Sequence, residues 1–181
     1  MGKRSKENIT LGSGKIYMQE LSSDTMPSVD TLCVDTNLLG YIKGGASLEY
    51  TEEITEEKDD LGLASKIVTT SEEALLKCGV LTWNGDTLQK LVDRCKVTTE
   101  SGKRSIKIGG AGNAQGKYYA ICFKHEDKAD GNLWVLIKGR NTAGLTLTFA
   151  TDTGTLIEPE FKAMPHDEEG TLIQLIEEAD A

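Results

Sequence analysis

The sequence predicts a mainly β fold of two packed antiparallel sheets, as a sandwich or barrel, with one flanking α-helix, a long β-hairpin and extended termini. Three observations lead to this prediction. Short runs of β-branched and aromatic residues recur along the chain, turn residues that include 19 glycines separate them, and a single segment has helical spacing. With 181 residues, the chain suits one domain that spans 1–181.

The chain begins with a basic segment, residues 1–8, which we expect to form an arm outside the sheets. This segment contains Lys3 and Arg4 but not the apolar run of a secretory signal. The sequence also has no run of about 20 apolar residues, which a membrane-spanning helix requires. We therefore expect a protein that is made in a cytoplasm and has no membrane partner. The first strand is predicted at residues 15–21, KIYMQEL.

A long hairpin is predicted over residues 47–83. Its first strand contains SLEYTEEITEEKDD, residues 47–60, with seven carboxylates and one lysine. Leu48, Tyr50 and Ile54 alternate with polar residues, which indicates an extended strand with two faces and argues against a disordered acidic segment. We expect the apolar face to pack on a core. The other face carries acidic and hydroxyl side chains, namely Glu49, Thr51, Glu53 and Thr55.

The turn of this hairpin is predicted at residues 59–64, DDLGLA, because aspartate and glycine are typical turn residues. We expect its apolar tip, Leu61-Gly62-Leu63, to be exposed. One helix is then predicted over 84–95. Asn84 can cap its first turn, and four apolar residues follow at helical spacing, which are Leu88, Leu91, Val92 and Cys95.

The remaining strands are predicted from five apolar or alternating segments, which are YYAICFKHE, LWVLIKG, LTLTFATD, EPEFKAM and TLIQLIEE. The run LWVLI, residues 133–137, is apolar at every position. Such a strand is either central to the core or makes a second contact with its other face. Residues 165–181 are predicted as a C-terminal strand and tail.

Composition argues against several classes of function. The net charge of −9 argues against a protein that holds nucleic acid, because binding to phosphates depends on basic side chains. The four cysteines are far apart and include no Cys-x-x-Cys pair, so we expect buried free thiols rather than a zinc site or a disulfide framework. The segment 101–117 is predicted as a strand followed by a glycine-rich turn, and it matches neither a phosphate-binding loop nor a dinucleotide fingerprint.

No motif for catalysis or metal binding is recognisable. Neither His125 nor His166 lies in a pattern that pairs it with a nucleophile, and both are expected at a surface or an edge. The acidic stretches lack EF-hand spacing. Spacing alone leaves open a carboxylate pair for glycoside hydrolysis, although aromatic residues, which usually bind sugar at such sites, form only 6% of the chain. We predict no catalytic residues, no metal and no cofactor, and therefore no enzyme.

Three segments, residues 40–62, 69–92 and 149–178, resemble the major tail tube proteins of long-tailed bacteriophages, most closely the siphophage type. The resemblance extends from about Ile9 to Glu178. The residues that carry it are short motifs distributed along the chain: Gly44-Gly45-Ala46, Leu48-Glu49, Glu73-Ala74, Lys77, Gly79, Thr82-Trp83, Phe161-Lys162-Ala163 and Gly170-Thr171-Leu172.

The resemblance implies a structural virion protein of the phage tail that is assembled in the host cytoplasm. Six copies would form a ring with their sheets joined edge to edge around a lumen, and rings would stack through the long hairpin and the chain ends. The other implied partners are a tape-measure protein and the tail terminator and distal tail proteins. Double-stranded DNA would pass through the tube without specific binding.

Two sets of site residues follow from the resemblance as hypotheses. Glu49, Thr51, Glu53 and Thr55 would line the lumen, where carboxylates repel DNA that carries one negative charge per about 1.7 Å of axis. Leu61, Gly62 and Leu63, together with Lys3 and Arg4, would form contacts between rings. The alternatives are glutamates that only solvate the hairpin, an inner tube protein of a contractile tail or injection system, and a monomeric β-sandwich binding module.

Overall fold

A computed structural model describes residues 10–179 of the chain, so that Lys3 and Arg4 lie outside the described residues. The predicted mainly β class is confirmed, with 48% strand and 10% helix. The strands are β1 (Gly14–Glu20), β2 (Leu38–Gly40), β3 (Ile42–Lys58), β4 (Ser65–Val80), β5 (Cys95–Glu100), β6 (Lys103–Ile108), β7 (Tyr119–His125), β8 (Leu133–Asn141), β9 (Glu160–Met164) and β10 (Gln174–Glu177). The α-helices are α1 (Val29–Leu32) and α2 (Gly85–Leu91), and 3-10 turns lie at Asp35–Asn37 and Ala111–Asn113.

Eight strands form one large antiparallel sheet in the order β2-β1-β7-β8-β9-β4-β3, and β10 also pairs with β8. The strand β8 connects the two halves of this sheet. One of its edges pairs with β7, and the other pairs with β10 over its first half and with β9 over its second half. The strands β5 and β6 form a separate two-stranded sheet.

The core lies on both faces of the large sheet. One cluster of buried side chains, which includes Ile137 of β8 and Phe161 of β9, is closed by the apolar side of α2. A second cluster on the opposite face includes Leu136 of β8 and is covered by Leu32 of α1. Successive residues of a strand point to opposite faces, so β8 is buried on both sides. This confirms that the apolar run 133–137 is central to the core.

The helix α2 begins where the sequence predicted but ends earlier. The Asn84 side-chain oxygen accepts hydrogen bonds from the backbone N–H groups of Asp86 and Thr87 at 2.9 and 3.0 Å, and the Thr87 hydroxyl accepts one from the Asn84 N–H at 3.3 Å. This capping box fixes the start of the helix. The predicted end at Cys95 was wrong, because Val92 is already extended and Cys95 is the first residue of β5.

Two other segments differ from the sequence-based expectation. The run LTLTFATD, predicted as a strand, has no strand pairing; its Leu145 and Leu147 pack on the core without a backbone ladder. The helix α1 was not predicted at all, because four residues are too few for a recognisable apolar period. Its start is set by Ser28, whose side-chain oxygen accepts a hydrogen bond from the N–H of Thr31.

The four cysteines are free thiols, and three of them are buried as predicted, whereas Cys33 is half-buried. The Sγ atoms of Cys33 and Cys122 lie 3.5 Å apart. This contact lowers the pKa of Cys33 and raises that of Cys122. Burial raises the pKa of Cys78 to about 12 and also raises the pKa of Cys95.

We therefore expect one thiol of the folded monomer, that of Cys33, to react much faster than the other three. The thiolate is the reactive form, and Cys33 combines exposure with a lowered pKa. Titration with an aromatic disulfide reagent at pH 8 should give a fast phase of one thiol per chain, and Cys33→Ser should remove that phase. Four equally fast thiols in the native protein would contradict this arrangement.

Candidate functional site

The hairpin of β3 and β4 extends far beyond the core. The two strands pair from Ala46 opposite Cys78 to Lys58 opposite Ser65. The neighbouring strand β9 pairs with β4 only over Leu75–Lys77, so no other strand among residues 10–179 supports the outer part of the hairpin. Every residue from 49 to 72 is exposed, and we call this segment the acidic arm.

The acidic arm exposes apolar side chains as well as carboxylates. The prediction that Leu48, Tyr50 and Ile54 together face a core was correct only for Leu48, which packs against the main cluster. Tyr50 is 47% exposed and Ile54 is 60% exposed. Both lie on the same face of β3 as Leu48, but at this point the strand already extends beyond the core. On the return strand Ile67 and Val68 are exposed in the same way.

The four predicted lumen-lining residues do share one face of β3. In register they lie opposite Leu75, Glu73, Ser71 and Val68 of β4, in the order Glu49, Thr51, Glu53 and Thr55. A bulge interrupts the pairing after Glu53, but the extra residue, Thr70, is on β4. The alternation of β3 therefore continues without a break, and its own residues on this face stay polar. The bulge brings the exposed Val68 of β4 to the same face, opposite Thr55.

The charge on this face is not uniform. At the base of the acidic arm, Lys77 Nζ lies 3.0 Å from Glu49 Oε2 and 3.5 Å from Glu160 Oε1, and the hydrogen bond to Glu49 raises the pKa of Lys77. Lys162 forms an ion pair with Glu73 close by. Glu53 accepts a hydrogen bond from the Ser71 hydroxyl at 2.8 Å. The face is therefore balanced in charge at its base, and further out it carries Glu53 and Glu57, with Lys66 directly opposite Glu57.

The tip of the acidic arm is a tight, hydrogen-bonded turn. The Asp59 carboxylate accepts a hydrogen bond from the Ala64 N–H at 2.7 Å, which lowers the pKa of Asp59. Gly62 has a positive φ of 67°, a conformation that glycine adopts without strain. Leu61 and Leu63 flank it and are 79% and 84% exposed, as the sequence predicted. The turn thus holds two leucines in solvent.

A second charged surface was missed at the sequence level. We call the sheet of β5 and β6, Cys95–Ile108, the basic hairpin, because it carries four basic side chains and one acidic side chain. The sequence did contain a signal for this hairpin, because apolar and polar residues alternate in CKVTTE and KRSIKI as they do in strands. The sequence predicted 101–117 as a strand and a glycine-rich turn but gave that strand no partner in residues 95–100, so the charge of the hairpin was not recognised.

The histidines and acidic groups provide little chemistry. His125 is buried rather than at a surface, and its Nδ1 lies 2.9 Å from the Ser13 carbonyl oxygen. In the part of the chain that the structure describes, no group of three or more His, Cys, Asp or Glu residues could hold a metal ion. Within residues 10–179, no helix has the length and apolar character needed to span a membrane.

No protein-family model matches the chain, and a search of curated proteins also gives no match. The functional argument therefore depends on the residues of this chain and on the geometry described above.

Proposed function

We propose that this chain is the structural subunit of a phage tail tube, which assembles with copies of itself into stacked rings around a lumen. The observation that carries this proposal is the acidic arm, whose apolar side chains are exposed along its length and at its tip. Exposed apolar side chains arranged on an ordered element are typical of surfaces that another protein covers. The resemblance stated above adds the expectation of six copies per ring.

The edge of the large sheet supports the same proposal. β3 is the last strand on its side of the sheet, so the outer edge of a strand of 17 residues has no partner among the described strands. Proteins normally block such edges, because their free N–H and C=O groups pair with other chains. In a ring, this edge would pair with a neighbouring copy. A closed ring also uses each such edge once, which prevents open-ended aggregation in that direction.

In this proposal the polar face of β3 faces the lumen at least near the base of the arm. DNA would then pass a wall whose carboxylates are partly paired with Lys77 and Lys162. Because both lysines are already paired, this part of the wall offers DNA no free cation to bind. Repulsion by the remaining carboxylates extends only over a Debye length of about 8 Å at physiological salt. The tape-measure, terminator and distal tail partners, the virion location and assembly in the host cytoplasm belong to the same proposal.

We expect Glu49→Lys combined with Glu53→Lys to leave tubes formed but to slow genome release. Lysines at these positions would bind phosphates, and the lost surface ion pair with Lys77 contributes only about 0–1 kcal/mol to folding. The measurement is the ejection rate of phage whose tails carry the double variant. Asp30→Lys with Asp35→Lys gives the same charge change at exposed positions outside β3 and serves as the control. Unchanged ejection would remove the lumen assignment.

The assembly proposal is tested by sedimentation velocity and negative-stain electron microscopy of the purified chain over a range of concentrations. Hollow rods or six-fold rings are expected. A monodisperse monomer under every condition would instead favour the monomeric β-sandwich binding module. Rods that assemble only together with a sheath partner, which would surround them, would favour the inner tube of a contractile tail or injection system.

A further inference from the structure

The basic hairpin is charged in a way that the fold does not explain. Its inner face packs on α2, where Val97 and Ile106 lie against Gly85 so closely that a Cβ atom there would meet both side chains at 3.4 Å. On the same face Arg104 forms an ion pair with Asp86. These contacts account for one face of the hairpin and leave the other face to solvent.

The outer face of the basic hairpin presents three exposed lysines, Lys96, Lys103 and Lys107. None of them forms an ion pair with a residue in the described range 10–179. Lys96 lies directly opposite Lys107 in the strand register. Like charges that face each other across two strands destabilise the pairing. The lysine pair therefore weakens the hairpin that carries it.

The acidic arm contains the opposite arrangement. Glu52 lies directly opposite Glu72, and both side chains are exposed and outside the ion pairs of the described chain. The Tyr50 hydroxyl donates a hydrogen bond to Glu52 at 2.8 Å, which orients that carboxylate. Residues 49–72 carry eight acidic and two basic side chains, a net charge of −6. The basic hairpin has a net charge of +3, of which its outer face contributes +2, because Glu100 lies on that face opposite Lys103 and Arg104 lies on the inner face.

We propose that the acidic arm of one copy docks on the outer face of the basic hairpin of a second copy, with Glu52 and Glu72 placed against Lys96 and Lys107. Each pair of like charges would then be neutralised by the other pair. The occupant is a second copy because both surfaces belong to this chain, match in charge and are joined by no ion pair among the described residues of one chain. This inference rests on the proposed self-assembly and names the surface that receives the arm.

The test uses two double variants of the full chain, Glu52→Lys with Glu72→Lys and Lys96→Glu with Lys107→Glu. Each double variant reverses the sign of a cross-strand pair but leaves two like charges opposite each other, as in the wild type. The fold should therefore be retained, which circular dichroism checks. Each variant alone should need at least about tenfold more protein than wild type to assemble, since a close charge pair in an interface contributes measurably to affinity. Sedimentation velocity and negative-stain microscopy measure this.

Recombining the two changes makes the test specific. An equal mixture of the two variants should assemble again, because every arm then meets a hairpin of opposite charge on the other variant. The chain with all four substitutions should also assemble. The control, Asp30→Lys with Asp35→Lys, makes the same charge change as the arm variant at exposed carboxylates elsewhere and should assemble like wild type.

The outcomes separate this inference from the proposed function. Tubes that form equally well in both double variants would overturn the docking and leave the tube proposal standing. The wild type could instead form oligomers that are not tubes. If each double variant loses these oligomers and the mixture of the two variants regains them, the docking is supported and the tube proposal is overturned. Loss of assembly in the single variants without recovery in the mixture would also overturn the docking. A wild-type monomer at all concentrations and at low salt would overturn both.

Discussion

Replacing Leu61 and Leu63 with serine is expected to weaken assembly strongly while the monomer remains folded. Both side chains are exposed in the single chain, so their loss should change its thermal unfolding midpoint little. In an assembly they would be buried, and full burial of a leucine contributes about 1.5–3 kcal/mol. Two leucines per subunit thus supply about 3–6 kcal/mol, and each 1.4 kcal/mol is a factor of ten in affinity. The concentration needed for assembly should rise at least about 100-fold.

The matched control replaces Leu61 and Leu63 with methionine. Methionine keeps an apolar side chain of similar volume and should preserve assembly. Sedimentation of wild type and both variants at a series of concentrations gives the comparison directly. If the serine variant assembles at the wild-type concentration, the tip is not a contact between copies.

Phe161→Ala is expected to lower the free energy of unfolding of the monomer by about 3–5 kcal/mol, the usual cost of removing a buried aromatic side chain. Phe161 is fully buried on β9, which lies between β8 and β4 and so joins the hairpin of β3 and β4 to the rest of the large sheet. Natural domains have only about 5–15 kcal/mol of stability in total. Chemical denaturation of the monomer at low concentration measures the loss.

The control for this prediction lies on the same strand. Lys162→Ala removes an exposed side chain from the opposite face of β9 together with its ion pair to Glu73. Because exposed ion pairs contribute little, we expect a change within about 1 kcal/mol. A loss below 1 kcal/mol for Phe161→Ala, or an equal loss for the two variants, would contradict the central position of β9 in the core.

The sequence predicts the β elements well where alternation and burial agree. The segments at β1, β3, β7, β8, β9 and β10 were all recognised. The start of α2 was recognised from Asn84, since a capping side chain acts locally. Its end was not, because the burial of Cys95 satisfies both a helical period and a strand. Leu145 and Leu147 alternate like a strand, yet pairing depends on a neighbouring strand that periodicity does not reveal.

The candidate site was only partly predictable for a related reason. Alternation correctly placed Glu49, Thr51, Glu53 and Thr55 on one face. It also indicated a buried opposite face, which is wrong for Tyr50 and Ile54, because burial depends on where the core ends. The pairing of Lys77 with Glu49 depends on the register between strands. The opposition of like charges on the two hairpins also depends on register, and it is recognised only when β5 is aligned with β6 and β3 with β4.

Cryo-electron microscopy of the assembled particles tests the central claim most directly, because it locates the acidic arm and the lumen in the same map. We predict a hollow tube of stacked six-fold rings in which the arm is covered by other copies and the face with Glu49 and Glu53 borders the lumen. A solid filament, or particles in which the arm extends freely into solvent, would contradict the account.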